Sequence, residues 1–586
     1  MSKITFFPHA TTTILLLLIL ATTSSSTNPN SSPLHFSKSS RSPSSSPSSS
    51  SVISNPEKLF DDSIQSIRTQ AQSIISNMAS SLITTNIIDD PTIVPATGAS
   101  GPVLDCMDLL DDTLDQLSNV AYRRHNPAHT HDDVQTWLSA ALTNQETCKE
   151  SLQTPPPVKN SPHRHVDSVK AILLQSLAQN MTTTVEASLA LFVNHIHSNN
   201  NNNNPRHHFM SPKYHKYPSN TPSGGRKLLS TSSAGHDNNN NKFPGWLPAA
   251  KRKLLEASVD EVEVHAVVAK DGSGTHTTIA AALKAVMMSG VTTMGSGGGG
   301  GGSSVIYIKA GTYKETLNIP TKQKNVVLMG DGKGKTVIVG SKNADDGSTT
   351  YQTATVAAMG DGFMARDITI INDAGPSKHQ AVALRVGSDR SVIFRCSIQG
   401  YQDTLYALSK RQFYRETDVY GTIDFIFGNA AAVFQSCNLF ARKGGSYPNN
   451  FLTAQGRSSE YQNTGFSIHN CRVEAAPDLP GGSRSTYLGR PWKEYSRTVI
   501  MQSQLGGHIN PAGWFPWSGG FALKTLYYAE YLNSGPGAGT SGRVGWPGYH
   551  RALAPLDASK FTVGQFITGN SWLPSTGVAF DSGLIG

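Results

Sequence analysis

Two aspartates 21 residues apart, Asp403 and Asp424, are the residues of this chain best placed to do chemistry. Asp403 stands seven residues after Cys396 and Asp424 seven after Thr417, and Cys396 and Thr417 are themselves 21 apart, so a coil of that length sets one carboxylate above the other. Gln380, 22 residues before Gln402, extends the polar ladder by a rung. The stretches that hold them, QAVALR, GYQDTLY and DFIFG, are otherwise apolar or aromatic. Two carboxylates about 5 Å apart in such surroundings cannot both ionise cheaply, so their pKa values split: one stays protonated and the other is free to attack. That is what a carboxylate nucleophile with a neighbouring acid/base requires, while the amides of Gln380 and Gln402 can donate to a developing oxyanion. Arg490, in LGRPW, offers a fork-shaped contact that keeps one carboxylate ionised. Taken singly, an Asp after a strand is usually a turn residue and an Arg before Pro a surface pair. The combination carries the reading.

Such a ladder needs a repeating scaffold. From Val262 onward the helical period nearly vanishes and short β-rich runs follow, among them SVIYIKAGTY, NVVLMGDG, KTVIVG and MARDITIIN. The runs around Ile368, Ile398, Val419, Leu439 and Val473 share one pattern, and Cys396, Thr417, Cys437 and Cys471 recur at near-regular intervals of which only the last is longer. Rungs of that length predict a parallel β-helix, with coils about 4.8 Å apart and loops absorbing the differences. A β-sandwich with coincidental spacing is the alternative. The string GDGKGKT does not make a phosphate loop, because Met329 stands where the first Gly must be. Gly295 and Gly297 to Gly302 read as a surface loop.

Upstream, the chain alternates between foldable and unfoldable composition. Of 586 residues only 38% are hydrophobic, and the formal charge of +8 is spread without the clustered Lys/Arg stripe of a nucleic-acid binder. The apolar run Ile14 to Ala21 follows Lys3 and is too short for the roughly 20 residues that span a bilayer, so residues 1–25 read as a secretory signal. Residues 26–54 form a Ser-rich linker, and more than half of the stretch from Thr22 to Ser51 is Ser. Between 55 and 200, apolar side chains recur at i, i+3, i+4 and i+7 in four segments, which predicts an all-α four-helix bundle. Cys106 and Cys148 fall at the start of one of these helices and the end of the next, where a bridge would staple the hairpin. Asn180 and Asn30 open N-glycosylation sequons. Residues 201–257 are low-complexity linker, whose His207, His208 and His215 read as composition and not as a metal tract. Two basic-dileucine strings interrupt it, Arg226-Lys227-Leu228-Leu229 and Arg252-Lys253-Leu254-Leu255, in extended chain where proteolytic processing concentrates. Residues 258–586 remain for the catalytic domain.

Through Gly311-Thr-Tyr-Lys-Glu315, the Gln380 segment, GYQDTLY, DFIFG and LGRPW, residues 260 to 586 resemble the plant pectin methylesterases, or pectinesterases. The resemblance implies a right-handed parallel β-helix that hydrolyses galacturonate methyl esters to methanol and carboxylated pectin. Carried over by motif, Asp424 is the nucleophile and Asp403 the acid that later serves as base. Gln380 and Gln402 match the oxyanion donors, and Arg490 the residue that orients Asp424. Tyr351, Tyr406, Phe427, Trp492 and Trp517 match the aromatic residues of the sugar-binding cleft, with Gln380 and Arg490 also meeting substrate. Cys437 and Cys471 match a bridge of the family, whereas Thr417 replaces the usual partner of Cys396. Tyr351 replaces a usual Phe. No metal or cofactor is implied. The bundle resembles the pectinesterase-inhibitor pro-region, which lacks here its usual first cysteine pair, and the basic-dileucine strings resemble its processing sites. The expected partners are pectin, the pro-region in cis, a processing protease and separate inhibitor proteins, for a monomer secreted to the cell wall.

Two other functions compete. A pectin hydrolase or lyase would also use stacked Asp residues, but two carboxylates and two amides make no calcium cluster. A non-catalytic wall-binding or inhibitor protein has no need of Asp403, Asp424 and Arg490 together.

Overall fold

The computed structural model describes residues 56–84, 101–122, 130–153, 164–202, 263–289 and 302–586, all within one compact unit, Asn55–Gly586. The signal-like run, the Ser-rich stretch, Asn30, both basic-dileucine strings and the glycine run lie outside the described residues.

Four helices come first: α1 (Pro56–Thr84), α2 (Gly101–Tyr122), α3 (His131–Gln153) and α4 (Arg164–Asn202). Their apolar faces close on Ile67, Leu109, Leu117, Leu138, Met181 and Leu189, all essentially inaccessible to solvent, as the i, i+3, i+4 spacing requires. A reciprocal cap starts α3: Thr130 N–H donates to Asp133 Oδ2 (2.8 Å), and Asp133 N–H donates to Thr130 Oγ1 (3.3 Å). Cys106 and Cys148 are bridged across α2 and α3, Cα to Cα 4.6 Å.

The remainder is a parallel β-helix of three long sheets with 11, 8 and 6 strands, every pairing parallel. The 6-stranded sheet carries the chemistry. Its strands are β1 (Leu317–Ile319), β2 (Val356–Ala358), β3 (Leu384–Val386), β4 (Leu405–Ala407), β5 (Ile426–Gly428) and β6 (Thr453–Gln455), stacked in that order. Leu405 pairs with Ile426, the register that stacks Asp403 over Asp424. On the 8-stranded sheet the apolar ladder runs through Ile370, Ile398, Val419, Leu439 and Val473. Ile370, and not the expected Ile368, is the rung partner of Ile398, because Ile368 fills the inward corner that Cys396 fills one coil later.

Each coil turns this corner through one left-handed residue: Asp367, Arg395, Glu416, Ser436, Asn470 and Gln502 all have φ between 50° and 58°. A single αL residue bends the chain sharply without breaking the strands on either side. Helix α5 (Ile279–Ser289) plugs the N-terminal end, its first amides received by the carboxylate of Glu315 at 3.0 and 2.9 Å. The GTYKE motif thus acts as a helix cap. Short helices α6 (Pro555–Ser559), α7 (Val563–Phe566) and α8 (Gly569–Trp572) follow the last coil, and Val563, Ile567 and Trp572 pack against Val327, Val392 and Phe413 of the 11-stranded sheet.

The expected Cys437–Cys471 bridge is absent: both are buried free thiols, as is Cys396. They occupy stacked inward positions, but each sulfur is engaged with backbone carbonyls, Cys437 Sγ with Tyr414 O at 3.4 Å and Cys471 Sγ with Phe434 O at 3.3 Å. Cys471 Sγ also accepts the Cys437 N–H at 3.4 Å. Thr417 fills the rung between Cys396 and Cys437, its hydroxyl 3.3 Å from the Cys396 N–H. Burial pushes the Cys396 thiol up to about 12.

Candidate active site under the helical bundle

Asp403 and Asp424 are each left-handed, φ 61° and 51°, two residues before strands β4 and β5. Asp tolerates that conformation better than most residues. Both are nearly inaccessible, 8% and 5% exposed. Arg490 clamps Asp424 with two parallel bonds, Nε to Oδ1 at 2.8 Å and Nη2 to Oδ2 at 2.6 Å. Its guanidinium is itself held over the rings of Phe451 (4.2 Å) and Trp517 (4.4 Å). Gly489 lets this segment in, because a Cβ there would lie 2.2 Å from Thr453 Oγ1.

The electrostatics separate the two carboxyls. Burial first and the Asp424 charge second push Asp403 well above the ordinary carboxyl range. Burial also lifts Asp424, but the Arg490 bonds and charge oppose it. The favoured arrangement is a protonated Asp403 beside an ionised Asp424.

Gln380, Gln402, Asp403, Asp424 and Arg490 line one cavity of about 560 Å³, together with Tyr351, Tyr406, Phe427, Trp492 and Trp517. Along its floor Tyr406 stacks on Phe427 at 4.2 Å, and Phe427 meets Trp492 edge-on at 6.0 Å. Gly428 closes DFIFG at φ 119°, where a Cβ would fall 2.1 Å from the Ala407 carbonyl oxygen. Another cavity, of about 620 Å³, has one carboxylate, Glu474, and a His508 that burial holds down at about 4. It lacks the paired acids of the first.

The family model for pectinesterase matches residues 265–570, and that for the plant invertase/pectin methylesterase inhibitor matches 34–191. The chain belongs to the pectinesterase family. It is 57% identical over 484 residues to "Probable pectinesterase/pectinesterase inhibitor 35" of Arabidopsis thaliana, covering 83% of this chain and 81% of that one. It is 48% identical to "Pectinesterase 2" of Citrus sinensis, covering 82% and 81%. Among solved structures, "Pectin methylesterase from Carrot" is 52% identical and matches at a TM-score of 0.52 over 55% of this chain and 99% of its own. The activity is therefore carboxylic ester hydrolysis, the demethylesterification of pectin, in a parallel β-helix preceded by an inhibitor-family bundle.

The linker between bundle and β-helix is long enough for the bundle to fold back over the cleft, but no motif said which of its residues would meet it. Thr147, Glu150, Ser151 and Gln153 at the C-terminal end of α3 line the same cavity as the aspartates. One apolar cluster runs from Leu109, Leu138 and Met181 of the bundle into Tyr351, Tyr406, Phe427 and Ala454 of the cleft. Around it lies a ring of ion pairs with acids from the bundle and bases from the β-helix. Lys410 meets Asp112 at 2.8 Å with neither side chain exposed, Arg411 and Arg390 each meet Asp133 at 2.8 Å, and Lys324 meets Asp115 at 2.8 Å. Lys493 pairs with Glu150. Lys410 and Arg411 keep second partners inside the β-helix, Asp361 and Asp389. The one available sequence signal was the acidity of DLLDDTLD in α2, which reads equally well as a solvated helix face.

Proposed function

We propose that Asp424 is the nucleophile and Asp403 the acid/base of pectin methyl ester hydrolysis. Asp424 Oδ attacks the ester carbonyl carbon, and the charge that develops on the carbonyl oxygen is met by the amides of Gln380 and Gln402. Asp403 gives its proton to the departing methoxide, releasing methanol and leaving galacturonate joined to Asp424 as an anhydride. Asp403, now ionised, takes a proton from water, whose oxygen attacks that carbonyl and frees the carboxylate together with Asp424. Arg490 holds Asp424 ionised and aimed throughout, while Tyr351, Tyr406, Phe427, Trp492 and Trp517 carry the sugar rings. The observation that supports this reading best is the forked Arg490–Asp424 pair stacked on a buried, charge-disfavoured Asp403. Asp424→Asn tests it: turnover is expected to fall to background in a folded protein, and a tenth of wild-type turnover would remove Asp424 from the role.

The roof of α3 over the cavity supports a second element of the proposal, that the attached bundle holds the enzyme inactive until it leaves. A protease cutting after Leu229 or Leu255 would make the bundle a separable ligand, and separate inhibitor proteins of the same family would take the same seat. The signal-like N-terminal run and the wall polymer that the enzyme acts on support secretion to the cell wall as a monomer, with exposed Asn180 available for glycosylation.

A further inference from the structure

Phe451, in PNNFLTAQ, belongs to none of the motifs that carry the chemistry, yet it reaches both members of the Asp424–Arg490 pair. Its N–H donates to the Thr422 carbonyl at 3.0 Å, and its own carbonyl accepts the Phe425 N–H at 3.2 Å. These bonds fall on either side of the left-handed Asp424, so the backbone of Phe451 is pinned to the turn that presents the carboxylate. Two residues on, the Thr453 carbonyl accepts the Arg490 N–H at 3.0 Å. The stretch 451–453 is therefore a common support for the nucleophile and its arginine.

The side chain completes the link. Arg490 Cζ lies 4.2 Å from the centroid of the Phe451 ring and 4.4 Å from that of Trp517. The two rings are not equivalent. Trp517 is 38% exposed and lines the cavity that receives the sugar, whereas Phe451 is wholly buried and does not line it. Phe515 at 5.2 Å and Tyr487 at 5.8 Å pack against the Phe451 ring and keep it in place. A cation is held more strongly over a desolvated ring than over a wet one, so Phe451 is the fixed wall of the arginine and Trp517 the one that substrate can engage.

Burial lifts the Asp424 carboxyl, and the bonds and charge of Arg490 are what oppose that rise. The other groups that act on this pair are Asp403 on the preceding coil, Tyr528 from the core and Tyr447 beside Arg490. Glu150, paired with Lys493, lines the cavity only while the bundle is docked. Phe451 carries no charge, so replacing its ring reaches the Asp424 carboxylate through Arg490 alone.

We propose that Phe451 is a positioning residue for ester hydrolysis: its buried ring fixes the Arg490 guanidinium against the Asp424 turn, which keeps the nucleophile ionised and aimed. The inference rests on Asp424 as the nucleophile.

The protein to assay is the chain cut in its linker and freed of the bundle; the carrot enzyme, matched over 99% of its own length by 55% of this chain, is a folded protein without that bundle. The readout is the pH profile of kcat and kcat/KM on methyl-esterified pectin. Phe451→Leu removes the ring and keeps the backbone bonds. A less firmly held Arg490 lets Asp424 take up its proton more readily, so the acid limb of the profile should move up by roughly half to one pH unit. Misalignment of the nucleophile should lower kcat about tenfold with KM unchanged. Should Phe451→Leu fail to fold, pentafluorophenylalanine in place of Phe451 decides, because it nearly keeps the shape of the ring and inverts its charge distribution; the same upward shift supports the proposal. An acid limb that stays at the wild-type pH in a folded variant overturns it, as does a loss that falls on KM alone. Activity surviving in Asp424→Asn would refute the nucleophile, a result read independently of either change at Phe451.

Discussion

Docking of the bundle is expected to weaken as pH rises, and Asp105 is the residue to perturb. Its carboxyl, 1% exposed between α2 and the β-helix, accepts the Thr349 hydroxyl at 2.5 Å. Burial raises it from its ordinary 3.8 to about 6, against the lowering effects of Thr349, Ser151, Arg385 and Gln352. A raised acid binds its proton more tightly when docked than when free in water. Docking is therefore strongest below pH 3.8, declines through about pH 6 and is flat above it. At about 1.36 kcal/mol per pKa unit the change is about 3 kcal/mol, or roughly a hundredfold in the docking constant. Burial raises Asp108, Asp132 and Glu146 in the same direction, and their effects add to the slope. Asp133 is lowered by Arg411, Thr130 and Arg390 against its burial, so its opposite contribution falls below pH 3.8, outside the window. The assay is inhibition of linker-cut enzyme by its own bundle, titrated at pH 4.5 and 7. Asp105→Asn, a neutral isostere of the protonated acid, should remove most of the difference by tightening docking at pH 7. A wild-type docking constant equal at the two pH values, or an Asp105→Asn protein that keeps the full slope, would refute the reasoning.

Asp403→Asn is expected to lower turnover by about 10² to 10⁴, the usual value of acid/base assistance, with the limb of the pH–rate profile that belongs to Asp403 lost; an unchanged profile would make Asp403 structural. Asp112→Ala removes the bundle's partner from fully buried Lys410 and leaves it Asp361 alone. Docking should weaken by about 1–3 kcal/mol, read as a higher concentration of bundle needed for half-inhibition. Changing Arg252 and Lys253 to Ala should leave a full-length secreted intermediate with reduced esterase activity; equal specific activity of cut and uncut protein would show that the bundle does not occlude the site.

The aspartate pair was legible because a β-helix turns sequence distance into spatial distance: the interval from Asp403 to Asp424 is one coil, and the strands that carry them, Leu405 paired with Ile426, share it. Gln380 is displaced from that period by one residue of turn, which a periodic reading accommodates. The same logic misaligned Ile368, since two inward positions of one coil, Ile368 and Ile370, are chemically alike. The resemblance suggested a Cys437–Cys471 bridge, and stacking brings the two residues together, but both are buried free thiols. Contacts between bundle and cleft were not legible at all. Lys410 and Asp112 are 298 residues apart, and Arg390 and Asp133 are 257 apart, with no period linking a helical segment to a coil.

The placement of the aspartates within the stack also bears on how the enzyme fails. Each coil touches only its neighbours, so stability is close to a sum of coil-to-coil terms and loss of order begins where a coil has one neighbour instead of two. Strands β4 and β5 lie in the interior of the 6-stranded sheet, and the two coils that carry the carboxylates are followed on the 11-stranded sheet by several more before its last strand. Unravelling from either terminus thus consumes spectator coils first. Heating should therefore erode far-UV signal and protease resistance at the ends before it touches turnover, giving an enzyme whose inactivation lags behind its first structural losses.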